Sequence, residues 1–200
     1  DIVPDIYKAT PVQINSLSKP RIIKSHEHFD SRYKKIIYIV RNPFQVAVSY
    51  YHHLIKFNRI EENYPFKKYL VEFLEGEVFP KKGNWNSHVM NWLQQSDNSG
   101  QKLLLIRYED MVENPMEILS KIALFLELEV DKKNIKKSIQ LSDFNTLKKI
   151  ESKQPTGGFL AGSRSDKNFV RSANPDEWKS YFDLEMTELL SDKFYQGMKY

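Results

Sequence analysis

The 200-residue sequence contains no cysteine. Disulfide bonds, thiolate zinc sites and a cysteine nucleophile are therefore excluded. The sequence also lacks an Asn-x-Ser/Thr sequon and any run of 18 uncharged apolar residues, so no membrane span is predicted in it. Because neither disulfides nor glycosylation sites are present, we expect a cytoplasmic protein, unless an anchor or signal precedes Asp1.

Glycine is scarce as well: there are seven residues, and none lies between Asp1 and Ser18. The nucleotide-binding motifs G-x-G-x-x-G and G-x-x-x-x-G-K-[ST] are absent, and so are G-x-S-x-G and H-E-x-x-H. The histidines and carboxylates show no spacing typical of metal ligands, so no metal site is predicted.

A large excess of one charge is also missing. The chain has 30 Lys and Arg residues and 26 Asp and Glu residues, which gives a net charge of +4. This balance suits an anionic ligand. The basic residues are interspersed with acidic ones and form no continuous stripe, so we expect no nucleic-acid partner.

Apolar runs and helical patterns alternate along the chain. Three runs predict buried strands, at Pro20–Lys24, Lys35–Val40 and Lys102–Arg107. Helical patterns follow the second strand, beginning at Asn42 and Pro43, and follow the third from about Pro115. This order predicts a single α/β domain over residues 1–200, a three-layer parallel sheet flanked by helices.

The remaining segments receive coarser predictions. Helices are expected over residues 64–75, 85–95 and 184–200, and a further basic helix from Asp131. Residues 97–100 predict a short loop. Residues 151–167, rich in Gly, Ser, Thr and Pro, predict a long mobile loop that closes over a site.

Ionisable groups follow each predicted strand, at the sheet edge where ligands bind in such folds. Arg41 comes directly before a helix start, whose free amides suit a phosphate, and the hydroxyl of Ser49 lies about two turns further on. The alternative is that Arg41 pairs with an acidic neighbour and Ser49 is an ordinary surface residue.

Lys24 and His26 end the first predicted strand. A neutral imidazole can take a proton from an alcohol, and a lysine can stabilise charge on a transferred group. The alternative is that His26 caps the strand and Lys24 faces water. From the sequence pattern alone, this alternative is favoured.

Four segments, in this order, carry a resemblance to a known family. They resemble P-R-x-x-K-[ST]-H, then Y-x-x-R-N-P-x-D-x-x-V-S, then G-x-W-x-x-H-V-x-x-W with Y-E-D-M, then F-x-R-K-G with W-K. The family is that of the sulfotransferases that use 3′-phosphoadenosine 5′-phosphosulfate, and the chain looks most like the cytosolic type. The matching segments are Pro20–His26, Tyr38–Tyr51, Gly83–Trp92 with Tyr108–Met111, and Phe169–Ala173 with Trp178–Lys179.

The resemblance implies a fold similar to the P-loop nucleoside triphosphatases and transfer of a sulfuryl group to a hydroxyl or amine, without a metal. His26 would be the general base and Lys24 would contact the sulfuryl group. The product would be adenosine 3′,5′-bisphosphate. The residues that the resemblance assigns to the donor nucleotide are Arg41, Ser49, Tyr108, Ser142, Phe144, Phe169 and Arg171.

The sequence also departs from the family pattern. A phosphate-binding loop similar to T-Y-P-K-S-G-T is expected several tens of residues before Lys24, and nothing in Asp1–Ser18 fits it. We therefore expect that the amino-terminal portion of the domain is missing. Ser172-Ala173 replaces the usual Lys-Gly, and Gln45 stands where Asp is common. The dimerisation motif K-x-x-x-T-V is absent, so the oligomeric state stays open.

Two other functions stay open at this point. One is non-catalytic binding of adenosine 3′,5′-bisphosphate, and the other is a phosphotransferase of the same fold, for which Glu109-Asp110 would have to bind magnesium. The acceptor is a small molecule or a carbohydrate. By analogy its pocket would be walled by residues 64–80 and 151–167, whose aromatic residues suggest a lipophilic alcohol unless they are ordinary packing: Tyr64, Phe66, Tyr69, Phe73, Phe79 and Phe159.

Overall fold

The computed structural model describes residues 3–6, 9–79, 83–153 and 162–200, without the side chains of residues 96–99. These residues form nine α-helices, two β-strands and two short 3-10 helices. The strands are β1 (Lys35–Val40) and β2 (Lys102–Arg107). The α-helices are α1 (Pro11–Ser16), α2 (Pro43–Lys56), α3 (Phe66–Glu75), α4 (Trp85–Ser99), α5 (Tyr108–Glu113), α6 (Pro115–Phe125), α7 (Lys132–Ser142), α8 (Phe144–Ser152) and α9 (Leu184–Phe194).

The sheet is parallel, as the sequence predicts. β1 pairs with β2 in a register that runs from Lys35 opposite Lys102 to Val40 opposite Arg107. The chain between the two strands passes through α2, α3 and α4. Both strands have the bounds predicted from their apolar runs, and the predicted α/β class is confirmed.

Helices cover this sheet on two faces. Val40, Val89 and Leu93 form one buried cluster, which joins β1 to α4. On β2, Leu105 packs against the same cluster. Because successive residues of a strand point to opposite faces, Ile106 points to the other face of the sheet. Ile106 is buried there, and α6, with its buried Ile118, packs against β2.

The predicted strand at Pro20–Lys24 is wrong. Only Lys24 forms a bridge, and its partner is Asp5. The Lys24 amide donates to the Pro4 carbonyl (2.9 Å), and the Ile6 amide donates to the Lys24 carbonyl (3.0 Å). A β-branched sequence suits a strand but needs a paired neighbour to become one, and a single bridge provides no ladder.

Helix boundaries agree with the local signals in some places and overrun them in others. The Asn42 side chain accepts from the Phe44 amide, so α2 begins at the predicted N-cap. The predicted loop at 97–100 is wrong at 97–99, because α4 continues to Ser99 and ends at Gly100, whose φ is 68°. At the carboxyl end, α9 stops at Phe194 and is followed by a 3-10 helix, Gly197–Lys199.

The predicted long loop is shorter than its composition indicates. Residues 151 and 152 form the last turn of α8, a helix that the sequence reading omitted, as it omitted α1. Residues 154–161 lie outside the described residues, so the predicted closing loop is not described there.

The main core lies between α2, α3 and α9. Tyr69 and Phe73 are completely buried in it, and the Tyr69 hydroxyl donates to the Ala47 carbonyl (2.8 Å). Tyr64, Phe66 and Phe79 are partly buried and pack against the same core. Tyr69 and Phe73 are therefore packing residues, and the acceptor pocket suggested for them is wrong at these two positions. For Tyr64, Phe66 and Phe79 the pocket stays a prediction. Phe159 lies outside the described residues.

Asn84 caps two helices at once. Its Oδ1 accepts from the Ser87 amide at the start of α4 (2.9 Å), and its Nδ2 donates to the Leu74 carbonyl at the end of α3 (2.9 Å). Gly76 ends α3 with a φ of 82°, and a Cβ there would lie 2.7 Å from the backbone nitrogen of Asn84. The end of α3 and the start of α4 are thus held together.

Candidate functional site

The carboxyl ends of β1 and β2 bring two predicted donor-site residues together. The Arg41 guanidinium carbon lies 4.4 Å from the centroid of the Tyr108 ring. The Arg41 Nε donates to Gln45 Oε1 (2.9 Å), which orients the guanidinium along α2. Glu109 Oε1 accepts from the Asn42 amide (2.9 Å), so the two strand ends are also joined directly.

Next to Arg41, α2 begins with amides that have no partner within the helix. Its first turn contains no acidic residue. Ser49 is exposed, about two turns into the helix. A guanidinium, a helix start and an aromatic ring at one sheet edge can bind a phosphorylated nucleoside.

Arg171 lies beside the next turn of α2. Its guanidinium forms a two-pronged ion pair with Glu177, with 2.7 Å between Nη2 and Oε2. His52, three residues after Ser49, pairs through Nε2 with the Tyr181 hydroxyl (2.8 Å). Burial, and then the positive charge of Arg171, lower the pKa of His52 to about 4. Glu177 begins the 3-10 helix Glu177–Ser180, which packs against α2.

Lys24 and His26 lie in an irregular stretch that we call the His26 segment (residues 24–30). The Lys24 ammonium is exposed and lies 3.4 Å from Asp5 Oδ2, and His26 is also exposed. The predicted base therefore lies on a coil rather than on a strand end.

Three residues of α4 bind the backbone of the His26 segment. His88 Nε2 lies 3.1 Å from the Glu27 carbonyl and 3.3 Å from the His26 carbonyl. Trp92 Nε1 also donates to the Glu27 carbonyl (3.0 Å). Asn91 Oδ1 accepts from the amide two residues further on, that of Phe29 (2.9 Å). These hydrogen bonds attach the His26 segment to α4. Arg41, in contrast, contacts the Tyr108 ring.

A second irregular stretch, the Arg171 segment (residues 162–171), is bound by charged side chains. The Glu151 carboxylate accepts from the amides of Phe169 and Val170, the second at 2.8 Å. Lys56 Nζ donates to the carbonyls of Lys167 (2.6 Å) and Arg164 (3.3 Å) and lies 3.8 Å from Glu151 Oε1. Both charged side chains are nearly buried, with 8% and 10% exposed.

For the other three residues predicted to bind the nucleotide, the structure shows only local contacts. The Phe169 ring is half exposed, and its amide is fixed by Glu151. Ser142 ends α7, and its hydroxyl donates to the Ser138 carbonyl (2.8 Å). Phe144 begins α8, with Lys148 Nζ 5.6 Å from its ring centroid. Because these contacts are local, the roles of these residues at the donor nucleotide stay predictions.

Sequence reading missed the residues that anchor the two segments. His88 enters the family resemblance only as part of the segment Gly83–Trp92, although its position one turn before the buried Trp92 indicates a helix face turned toward the protein. Lys56 continues the buried stripe of α2, at Leu54 and Ile55, and a lysine at such a position signals a buried ionic partner.

The described part of the chain contains neither a candidate metal site nor a candidate membrane span. No group of three or more histidine, aspartate or glutamate side chains there could hold a metal ion. None of its helices combines the length and the apolar character needed to cross a membrane.

Comparison with known proteins finds one family across most of the chain. The model of the sulfotransferase domain matches residues 4–200. Sulfotransferase 1B1 from Canis lupus familiaris is 30% identical over 198 residues, covering 93% of this chain and 64% of that protein. Sulfotransferase 1E1 from Bos taurus is 29% identical, covering 94% and 65%. The chain thus spans just under two thirds of the length of these relatives.

Solved structures show the same fold. Mouse sulfotransferase SULT7A1, complexed with PAP, matches with a TM-score of 0.75 at 24% identity, covering 94% of this chain and 68% of that one. A retinol dehydratase in a complex with retinol and PAP matches with a TM-score of 0.73 at 21% identity, covering 96% and 56%. The predicted fold, similar to the P-loop nucleoside triphosphatases, is confirmed at this level.

Proposed function

We propose that this chain, which belongs to the sulfotransferase domain family, transfers a sulfuryl group from 3′-phosphoadenosine 5′-phosphosulfate to a hydroxyl or amine acceptor. The observation that carries the proposal is the grouping of Arg41 and Tyr108 at the start of α2. We further propose that residues 1–200 belong to one sulfotransferase domain of a cytoplasmic protein, and the composition without cysteine supports that location.

The donor nucleotide uses the groups at the sheet edge. Arg41, Ser49 and Arg171 bind its 3′-phosphate, and Tyr108, Ser142 and Phe144 contact the adenine. Phe169 is a further contact of the nucleotide. Arg171 already pairs with the Glu177 carboxylate, so the phosphate replaces or joins that carboxylate on the guanidinium. Two acceptor oxygens from either group fit the same planar fork of donors.

The transfer is an in-line displacement at sulfur. The His26 imidazole takes the proton of the acceptor hydroxyl, the acceptor oxygen forms a bond to sulfur, and the bond from sulfur to the 5′-phosphate oxygen breaks. Adenosine 3′,5′-bisphosphate leaves with the electron pair of that bond. Lys24 stabilises the negative charge on the transferred group. Positioning and electrostatic stabilisation dominate such a reaction.

For the acceptor we propose a small lipophilic alcohol. One relative is named a 3-alpha-hydroxysteroid sulfotransferase (Cavia porcellus), and it is 29% identical over 184 residues. A structural neighbour was solved in a complex with retinol. A carbohydrate is the alternative acceptor, and a panel of alcohols and sugars with labelled donor distinguishes the two.

Non-catalytic binding of adenosine 3′,5′-bisphosphate is the second candidate function. The replacement of the usual Lys-Gly by Ser172-Ala173 favours it, because one positive charge beside Arg171 is lost. This function gives nucleotide binding without transfer to any acceptor.

Calorimetric titration with adenosine 3′,5′-bisphosphate tests the donor site. We expect binding that Arg41→Ala weakens by about 1.5–3 kcal/mol, the contribution of a hydrogen bond to a charged group. Arg32→Ala is the matched control, because Arg32 precedes β1 and lies at the opposite end of that strand. Equal effects of the two variants would refute the donor site.

A transfer assay tests the chemistry. His26→Ala should lower kcat by a factor on the order of 10²–10⁴, the usual contribution of a general base, and leave nucleotide affinity unchanged. Nucleotide binding without transfer in any acceptor assay would favour the second candidate function.

A further inference from the structure

His88 is a partly buried histidine whose two ring nitrogens both have partners. Nε2 faces the carbonyls of His26 and Glu27, and Nδ1 lies 2.9 Å from the Tyr38 hydroxyl. None of the roles assigned above to sulfuryl transfer uses this ring. It nevertheless touches the backbone of the residue proposed as the base.

The partners of the ring determine its tautomer. A carbonyl oxygen can only accept, so Nε2 must carry the proton and donate. Nδ1 of the neutral ring is then an acceptor, and the Tyr38 hydroxyl donates to it. Burial lowers the pKa of His88, which keeps the ring in this neutral form near pH 7. The hydroxyl of Tyr38 stays protonated, because burial also raises its pKa.

The anchor has a geometric basis in α4. His88, Asn91 and Trp92 lie at positions i, i+3 and i+4, which share one helix face. All three bind the backbone of the His26 segment, at Glu27 and at Phe29. Among these contacts, only that of His88 reaches His26 itself.

We propose that His88 is a positioning residue: by donating from Nε2 to the backbone of His26 and Glu27, it fixes the place from which the His26 imidazole reaches the acceptor hydroxyl. This inference rests on the proposed function of His26 as the base. A base on a coil needs such an anchor, because proton transfer requires hydrogen-bond reach and a displacement of about 1 Å can cost about 100-fold in rate.

The kinetic test compares His88→Leu, which removes the donor, with His88→Gln, whose side-chain amide restores a donor. We expect His88→Leu to lower kcat by about ten- to a hundredfold, since the base is displaced. The KM for the donor should stay unchanged, because Arg41 and Tyr108 are not involved. His88→Gln should recover most of the rate. Gln95→Leu, an exposed change on the same helix, is the control.

Backbone hydrogen exchange tests the anchor even if no transfer is found. In His88→Leu the amides of residues 26–30 should exchange at least about ten times faster, as a local opening does, while those of β1 and β2 keep their protection. His88→Gln should restore the slow exchange. Tyr38→Phe, which removes the hydroxyl that donates to Nδ1 of His88, should give an intermediate rate.

Three outcomes would overturn the inference. The first is wild-type exchange of residues 26–30 in His88→Leu, and the second is loss of protection across β1 and β2, which would make His88 an ordinary core residue. The third is a local loosening without any fall in kcat. An inactive wild type with the expected exchange pattern would count against the proposed function and leave the backbone anchor established.

Discussion

The His26 segment and the Arg171 segment are both irregular, and side chains of helices bind both of them. The side chains that bind the first are neutral, and those that bind the second are charged. Neutral groups of α4 bind the first, and the hydrogen bonds run from His88 and Trp92 into backbone carbonyls. A nearly buried ion pair binds the second, where Glu151 accepts from backbone amides. Lys56 of the same pair donates to the carbonyls of Lys167 and Arg164.

The two halves of the proposed site therefore respond to different conditions. Neutral hydrogen bonds in a partly buried place are insensitive to salt and each contribute about 1 kcal/mol. A buried ion pair is costly to break from one side, because the remaining charge stays desolvated. Several hydrogen bonds, each with a small contribution to the free energy of unfolding, therefore hold the His26 segment. One ion pair with a large contribution holds the Arg171 segment.

The largest expected effect removes the charged anchor. Glu151→Leu leaves the ammonium of Lys56 without its carboxylate, and we expect a loss of about 3–5 kcal/mol in the free energy of unfolding. Denaturant titration measures it. Glu188→Leu, at an exposed position of α9, is the control and should change stability by less than about 0.5 kcal/mol. A loss below about 1 kcal/mol in Glu151→Leu would contradict the buried pair.

The next largest effect is a loss of folding stability in acid, which we expect from His52. His52 takes up its proton near pH 4 in the folded state and near pH 6.5 when unfolded. The unfolded state therefore binds more protons within this window, so stability is full above pH 6.5 and falls as the pH decreases toward 4. Thermal melts between pH 7.5 and 5 should show a decline in Tm that is smaller in His52→Gln. Equal slopes would show that other groups cause it.

A smaller effect is expected when the carboxylate that pairs with the Arg171 guanidinium is neutralised. Glu177→Gln weakens the pair with Arg171, so a larger fraction of the protein presents a free guanidinium to phosphate. We expect the apparent Kd for adenosine 3′,5′-bisphosphate to fall about three- to tenfold, since affinity scales with the competent fraction. Asp176→Asn, one residue earlier, is the control in the same titration. Weaker binding in Glu177→Gln would mean that Glu177 orients Arg171 for the nucleotide.

Removing one neutral bond should have a still smaller effect. Trp92→Phe keeps the aromatic packing on Tyr38 but removes one donor to the Glu27 carbonyl. Because His88 still donates to that carbonyl, we expect a loss of about 0.5–1.5 kcal/mol in unfolding free energy. Denaturant titration measures the loss. A loss as large as that of Glu151→Leu would remove the contrast between the two anchors.

Salt should give the smallest effect. Arg164 and Lys167 pair with Glu62 at the surface of the Arg171 segment. Such exposed pairs contribute less than about 1 kcal/mol and are screened by salt. Exchange of amides 163–171 should therefore quicken slightly in 1 M salt, at about the ionic strength where the Debye length is 3 Å. The amides of residues 27–29, whose backbone is bound by neutral groups of α4, should not respond. Equal responses would contradict the contrast.

Local signals in the sequence predict those elements that have their own partners. The apolar runs of β1 and β2 and the Asn42-Pro43 helix start are such signals, and the structure has them where expected. Pro20–Lys24 has an equally good β pattern but is not a strand, because strand formation depends on a neighbour that local sequence does not specify.

The candidate site shows the same limit. The proximity of Arg41 and Tyr108 follows from the rule that parallel strands end at one edge, so the sequence suffices for it. The pairing of Lys56 with Glu151 links residues 95 positions apart, and no periodicity predicts it. Likewise, the aromatic residues Tyr69 and Phe73 suit both a pocket and a core, and only burial distinguishes the two.

The double cap at Asn84 has a consequence for how this chain can vary. Since Asn84 and Gly76 close the base of the connection between α3 and α4, the ends of that connection stay fixed whatever lies between them. Doubling the length of a flexible loop costs only about 0.6 kcal/mol in closure entropy. Insertions after Phe79, which packs against the main core, and before Gly83 should therefore be tolerated without disturbing either helix.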